Sequence, residues 1–147
     1  DLNEFLKRNA RQNQSNGISK TYVVIEEGNN IVRGFYTISS AEISPLKLPS
    51  YIKHPRYPVS AARICRLAVD KKMKGKGMGR LLLNDAFDKI ILASSILGIF
   101  AIIVDAKDDR AICFYEKYGF FRLDQNLLVL PLSTLIKSDP NTSGIVF

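Results

Sequence analysis

The sequence predicts an α/β fold, a mixed sheet flanked by helices, and three observations carry that prediction. The element signals run helix, hairpin, strand, helix, strand, helix, strand pair, an order that packs helices against one sheet. Hydrophobic residues make up 46% of the 147, enough to bury a full core and to exclude a disordered chain. No repeat and no linker-like stretch interrupts the chain, so residues 1–147 read as a single domain.

Each element has its own signal. Leu2, Phe5, Leu6 and Ala10 recur at helical spacing with Lys7, Arg8 and Arg11 between them, which predicts an amphipathic helix cut short at its start. Residues 13–17 form a polar breaker. Residues 21–25 are rich in β-branched residues and Tyr and predict a strand; Gly28-Asn29-Asn30 predicts a turn, and residues 31–43 return as the second arm of a hairpin. Pro45, Pro49, Pro55 and Pro58 then impose a loop, residues 61–69 form a third strand, and residues 71–79 are basic and Gly-rich. Leu83, Phe87, Ile90 and Leu97 mark a helix that Gly98 ends, and residues 100–104 form a buried strand. Asp108 is placed to N-cap a helix running to Tyr118, with Gly119 as its stop, and residues 120–123 and 127–130 are two closing strands.

Several classes of protein are excluded. No apolar run reaches the roughly 18 residues a membrane span needs, because Ser94, Ser95 and Gly98 break the most apolar stretch. No secretory signal opens the chain, which starts at Asp1 rather than Met, as a trimmed start would. Cys65 and Cys113 fall inside apolar segments and read as two buried thiols of a cytoplasmic protein, with no context for a disulfide. One histidine, His54, and two distant cysteines make no metal site, so no metal is expected.

Charge is unevenly spread over the chain, whose net is +7. Residues 1–80 hold fifteen Lys and Arg against six Asp and Glu, a net of +9, whereas residues 81–147 hold six against eight, a net of −2. That asymmetry predicts an anionic partner for the first half, a polyanionic cofactor, a nucleic acid or both.

The sharpest local signal is the run Lys74-Gly75-Lys76-Gly77-Met78-Gly79-Arg80, set between a strand and a helix. Glycine lets a backbone take positive φ and approach a ligand closely, so successive N–H groups converge on one anion. The following helix adds about half a positive charge at its N-terminus. Lys74, Lys76 and Arg80 add side-chain charge, and a pyrophosphate is held this way without a metal. A Walker A loop is excluded because no Gly-Lys-Ser/Thr closes the run. A dinucleotide fingerprint is excluded because Arg80 stands where its third glycine belongs and the acidic ribose partner about 20 residues on is missing.

Read as Lys74-x-x-Gly77-x-Gly79, this run resembles the acetyl-CoA motif of the GCN5-related N-acetyltransferases (GNAT). That motif usually opens with Gln or Arg; Lys74 keeps the charge and loses the planar hydrogen-bonding group. The segment Asp108-x-x-Ala111-x-x-Phe114-Tyr115-Glu116-Lys117-x-Gly119-Phe120 is similar to the second motif of the family, with Asp108 in place of the usual Asn. The resemblance covers residues 20–132 and implies the GNAT fold, a mixed, mostly antiparallel sheet splayed at its middle strands. It implies that acetyl-CoA is the cofactor, held by main-chain groups of Leu67, Ala68 and Val69, by the turn Lys74, Gly75, Lys76, Gly77, Met78, Gly79 and Arg80, and by Asp108, Ala111 and Phe114. It also implies a first strand before the first helix; the sequence starts inside that helix, so this strand is expected to be missing or to belong to deleted residues, and a sheet edge is left to be covered.

A finer resemblance is to the toxin branch of the family, the enzymes of type II toxin–antitoxin pairs that acetylate aminoacyl-tRNA. Asp1-Leu2-Asn3-Glu4-Phe5-Leu6, Thr21-Tyr22-Val23, Gly34-Phe35-Tyr36, Tyr57-Pro58-Val59, Arg66-Leu67-Ala68-Val69-Asp70, Val104-Asp105-Ala106-Lys107 and Leu128-Val129-Leu130-Pro131-Leu132 carry it. It implies a cytoplasmic enzyme with aminoacyl-tRNA as acceptor and a DNA-binding antitoxin as partner, and it admits a homodimer. An acetyltransferase of protein N-termini or small amines, and a non-catalytic basic module on the same fold, are the alternatives.

The chemistry can be weighed separately. Acetyl transfer to an amine needs a neutral amine and a stabilised leaving thiolate. Tyr115 is the well-placed donor, with Tyr118 next and Phe114 the more apolar core residue. An ordinary tyrosine at about 10 facing a thiol at about 8.5 makes complete proton transfer uphill by roughly 2 kcal/mol, so a hydrogen bond to the developing thiolate is expected, with transfer late. Residues 61–69 carry no carboxylate base, and Glu26, Glu27 and Glu42 near the hairpin remain as bases acting through water. An α-amino group, at about 7.7 to 8.0, needs a base far less than a lysine at about 10.4, which favours aminoacyl-tRNA. Lys47, Lys53 and Arg56, with His54, lie in the Pro-rich loop as contacts for substrate phosphates. Arg63 and Arg66 lie three apart on one strand and point to opposite sides, one toward substrate and one toward a structural partner.

Overall fold

A computed structural model describes residues 5–136, so Leu2 and the residues before Phe5 in the expected helix opening lie outside the described part. Six strands form one sheet: β1 (Lys20–Ile25), β2 (Val32–Ile43), β3 (Val59–Val69), β4 (Ala101–Asp105), β5 (Phe121–Arg122) and β6 (Leu127–Pro131), in the spatial order β1-β2-β3-β4-β6-β5. β1 and β2 pair antiparallel from Lys20 opposite Ile38 to Ile25 opposite Val32, and β6 pairs antiparallel with both β4 and β5. The helices are α1 (Ala10–Ser15), α2 (Met78–Ser94), α3 (Asp109–Glu116) and α4 (Leu132–Ile136). This is the sheet flanked by helices that the element order predicts, with the mostly antiparallel pairing that the family resemblance implies.

The boundaries shift for local reasons. The first helix opens in a π-helical turn, Phe5–Asn9, and α1 runs on through part of the polar stretch read as a breaker. α2 begins at Met78, so Gly79 and Arg80 are its second and third residues, and it stops at Ser94, three residues short of Leu97. Ile96 and Leu97 are exposed, so their apolar character marks no continuing buried face. Asn30 and Gly28 both take positive φ, as the hairpin turn requires. α4 carries no strong capping signal and was not expected from sequence.

The chain divides into two compact units, residues 1–40 with 64–90 and residues 41–63 with 91–147. In the first, Phe35 and Ala10 pack with Leu6 and Ala68, and α2 buries Leu82, Leu83, Ala86, Phe87 and Ile90 at helical spacing. In the second, Ile43, Leu48, Val59, Ala61, Ala101, Ile103 and Val129 form the core. β4 and β6 are almost wholly buried, which explains their unbroken apolar sequences.

The cysteines correct the sequence expectation: both are exposed and neither is in a disulfide. Apolar neighbours misled because direction on the element decides burial. On β3, Ile64 is buried and Cys65 turns out beside Ser39, their Sγ and Oγ 3.2 Å apart. On α3, Ile112 and Tyr115 face inward and Cys113 faces out.

Candidate functional site

The Gly-rich turn belongs to the first unit. β3 ends at Val69, and the Asp70 carboxylate caps the 3₁₀ turn Lys71–Met73 by accepting the Lys72 N–H at 3.1 Å. Asp70 is itself fixed, because its N–H donates to the Arg33 carbonyl at 2.8 Å and Arg33 Nη1 donates to its Oδ2 at 2.7 Å. Arg33 Nη2 also donates to Glu26 Oε2 at 2.6 Å, and Asn29 donates to the same oxygen. Hydrogen bonds from Asn29 and Arg33 hold Glu26 below its ordinary value, and the Arg33 bond does the same for Asp70. Glu26 is thus a structural acid locked to Arg33, which corrects its expected availability as a base.

Beyond this clamp, Gly75 and Gly77 take φ of +76° and +78°, while Gly79 is helical. A Cβ at Gly75 or Gly77 would meet no atom of the chain within 4 Å. The space beside both glycines is open, as a backbone cradle for an external anion requires. Lys74, Lys76 and Arg80 are exposed, and among the described residues none is held in an ion pair. Met78 is half-buried at the start of α2, whose first-turn N–H groups follow directly. A pyrophosphate fits this donor set. A groove of about 470 Å³ runs from Gly77 and Arg80 along α2 past Leu81, Asn84, Asp85 and Asp88.

Gly34 seats this helix. A Cβ there would lie 3.0 Å from Leu82 Cδ1 and 3.2 Å from the Ala68 carbonyl oxygen, so only glycine lets α2 settle so close to β2 and β3. Leu67, Ala68 and Val69, the strand residues expected to offer main-chain groups, are half-buried beside it. Further along α2, Tyr36 Oη donates to Asp85 Oδ2 at 2.5 Å, and Lys89 donates to the same oxygen at 2.7 Å while lying 4.4 Å from the centre of the Tyr22 ring. Burial and the Asp85 carboxylate push the Tyr36 hydroxyl far up, so it stays a donor and ties the hairpin to α2. Arg33, Gly34 and the Tyr36–Asp85–Lys89 group were all missed as site-building residues. A glycine inside a strand pattern was the available signal for Gly34.

The second motif lies in the second unit. Asp108 Oδ1 accepts the Ala111 N–H at 2.9 Å, the N-cap expected of it, and Gly119 ends the segment at φ +98°. Ala111 is half-buried. Tyr115 is 6% exposed and Phe114 is half-buried, so the expected ranking of these two as core residues is reversed. The helical period explains this, since Tyr115 is three residues from Ile112 on the inner face. Phe114 instead meets Tyr115 and Tyr118 edge-on, at centroid distances of 5.1 and 5.2 Å. Burial pushes the Tyr115 hydroxyl up to about 12, and no described residue hydrogen-bonds to it.

The expected substrate contacts also lie on the second unit, except Arg66. Lys47 is the last residue of a 3₁₀ turn capped by Ser44; Lys53 and Arg56 are exposed in the loop. His54 is half-buried and its Nδ1 donates to the Pro55 carbonyl at 2.8 Å, a local turn contact. Arg63 is half-buried and paired with Asp105, and these two line a cavity of about 330 Å³ with Lys47, Asp124 and Asn126. Arg66 is exposed on β3 in the first unit.

The first unit thus carries a glycine cradle at a strand-to-helix junction, and the second a buried tyrosine in a capped, glycine-stopped helix, the two motifs expected of an acetyltransferase. The acetyltransferase (GNAT) domain family matches residues 18–121, and the chain belongs to that family; it is an acetyl-CoA-dependent N-acetyltransferase. Among relatives, it is 33% identical over 120 residues to a tRNA-acetylating toxin of Mycobacterium tuberculosis, covering 81% of this chain and 71% of that one. The structure of AtaT complexed with acetyl-methionyl-tRNAfMet is similar at a TM-score of 0.83 and 26% identity, over 91% of this chain and 83% of that one. That of AtaTR bound with AcCoA is similar at 0.80 and 28%, over 91% and 82%. No described helix is long and apolar enough to cross a membrane.

Proposed function

We propose that this enzyme is a toxin that transfers an acetyl group from acetyl-CoA to the α-amino group of an aminoacyl-tRNA, blocking translation, and that residues 1–147 act as one acetyltransferase domain in the cytoplasm beside a DNA-binding antitoxin. The observation that carries the reading is the pairing of the open Gly75–Gly77 cradle with a first half of net charge +9. The likeness to a tRNA-acetylating toxin and to AtaT complexed with acetyl-methionyl-tRNAfMet supports the acceptor, and the family match through both units supports one domain.

Bound acetyl-CoA supplies the acetyl group as a thioester. Amides of Gly75 and Gly77, the first turn of α2, and the Lys74, Lys76 and Arg80 side chains hold its pyrophosphate in this reading, while the Lys76 N–H stays on the Met73 carbonyl at 3.3 Å; main-chain groups of Leu67, Ala68 and Val69 align the pantetheine arm, and Asp108, Ala111 and Phe114 are the second-motif residues that the family resemblance gives to the cofactor. Tyr115 holds its proton firmly. With its hydroxyl at about 12, complete transfer to a thiolate of ordinary value near 8.5 is uphill by about 5 kcal/mol. Tyr115 therefore stabilises the leaving sulfur by donating a hydrogen bond, and the proton follows only as charge builds there. Because β3 carries no carboxylate and Glu26 is paired with Arg33, only the exposed Glu27 and Glu42 remain to act through water, which favours an acceptor whose amine is already largely neutral. An α-amino group at about 7.7 to 8.0, lowered further by its ester, meets that condition. Lys47, Lys53, Arg56 and Arg66 meet the phosphates of the acceptor, and Arg63, paired with Asp105, is the structural member of the two strand arginines.

The test is incubation with labelled acetyl-CoA and total charged tRNA, with deacylated tRNA and N-terminal peptides in parallel. Label in the charged tRNA alone, released by mild alkaline cleavage of the ester, is the expected result. Label in peptides alone contradicts the acceptor.

A further inference from the structure

The loop joining β2 to β3, residues 44–58, lies wholly in the second unit. Four prolines, Pro45, Pro49, Pro55 and Pro58, limit its backbone. Leu48, 7% exposed, pins it to the core beside Ile43 and Val59, and the capped 3₁₀ turn Pro45–Lys47, the Ile52 N–H to Pro49 carbonyl bond and the His54–Pro55 contact fix its course. On this built loop two aromatic rings face water: Tyr51 is 78% exposed and Tyr57 is 68% exposed. Tyr51 leans on Phe121 at a centroid distance of 6.4 Å and remains open. Lys47, Lys53 and Arg56 stand exposed among them. No acidic residue occurs between Glu42 and Asp70.

Exposed aromatic rings interleaved with cations, on a loop that carries no carboxylate of its own while Asp105 and Asp124 line the cavity beside Lys47, match one ligand chemistry closely. Unpaired nucleotides offer flat faces that stack on tyrosine and phosphates that pair with Lys and Arg, whereas paired bases hide their faces in the duplex. We infer that residues 44–58 are a binding platform for the unpaired 3′ end of the acceptor RNA, with Tyr51 and Tyr57 as stacking residues and Lys47, Lys53 and Arg56 as phosphate contacts. This rests on the aminoacyl-tRNA reading and deepens it. Duplex binding alone would need cations and no rings. The platform accounts for the rings and confers preference for a single-stranded end over a duplex.

Two measurements on the full chain test it. Binding of an eight-nucleotide single-stranded RNA and of a blunt RNA duplex is compared in the wild type, Tyr51→Leu, Tyr57→Leu, the double variant and the matching Phe variants; KM and kcat for charged tRNA are measured alongside. The platform predicts tighter binding of the single strand and a loss on the order of 10-fold per Leu substitution, a typical fold-change for one stacked base. Phe variants keep the ring face and stay near wild type. KM for charged tRNA rises in the Leu variants, while kcat, acetyl-CoA KM and the salt slope hold, because the rings carry no charge. Leu variants that bind single-stranded RNA as the wild type does would overturn the platform and leave the surface to a protein partner. A wild type that binds single strands through these rings yet acetylates no charged tRNA contradicts the proposed function and leaves the platform standing.

Discussion

The Gly75–Gly79 turn and the residue 44–58 loop are both basic and both expected to meet phosphate, yet they are built in opposite ways. The turn recognises through its backbone. Two positive-φ glycines and a helix N-terminus supply the donors, and a clamp of Glu26, Arg33 and Asp70 holds the strand end from which they spring. The loop recognises through side chains, displaying Lys47, Lys53, Arg56, Tyr51 and Tyr57 from a proline-limited path. Backbone recognition suits a cofactor of constant shape, whereas displayed side chains suit a large partner met at many points. The difference predicts which substitutions are ruinous and which are graded.

The largest effect is expected at the turn. Gly77→Asp forces a Cβ onto a φ of +78° and sets a negative charge in the cradle. Acetyl-CoA should raise the melting temperature of the wild type by binding the native state, and the shift should vanish in the variant while its own unliganded melting stays cooperative. A full shift in Gly77→Asp places the cofactor elsewhere.

A smaller loss is expected at Tyr115, whose proposed role is at one atom of the reaction rather than in binding. Tyr115→Phe should lower kcat about 10²-fold and leave acetyl-CoA affinity unchanged. The pH dependence sharpens this. The Tyr115 hydroxyl, ordinarily near 10, is pushed up to about 12, so native stability owed to its protonated form is intact below pH 10 and is lost as pH rises through 12. The donor therefore stays protonated across the working range. Measured on an amide-linked analogue of the aminoacyl end, which resists alkaline hydrolysis, the kcat/KM profile should climb with deprotonation of the acceptor amine and show no alkaline fall below about pH 11. A fall centred near pH 10 would identify a different, unburied donor, with Tyr118 first in line.

The same contrast explains what could be read in the sequence. The element order was legible because strand and helix periods and the Gly and Pro punctuation are local. The cradle was legible because backbone recognition leaves glycines in the sequence, and the Asp108 cap and Gly119 stop were legible for the same reason. What stayed hidden depends on direction or distance. Cys65 and Cys113 sit among apolar neighbours yet point out, and Tyr115 rather than Phe114 turns inward. Arg33 finds Asp70 across 37 positions, and Tyr36 finds Asp85 across 49, pairings that no local pattern announces. Gly34 carried a signal, a glycine within a strand, but the helix it seats is named only by the packing.

The central claim is that the loop docks a nucleic-acid acceptor while the turn holds the cofactor. It is tested most directly by the charge-reversed variant Lys47→Glu, Lys53→Glu, Arg56→Glu, assayed on charged tRNA and on a neutral small amine across a salt series. Each lost phosphate contact removes about 0.7 to 0.9 from the slope of log affinity against log salt. The variant should show a KM for charged tRNA raised at least about 10-fold at low salt, with a slope flatter by about 2, and unaltered acetyl-CoA binding. Any turnover of the small amine should be unchanged. Normal acetylation of charged tRNA by the variant at every salt concentration would contradict the account.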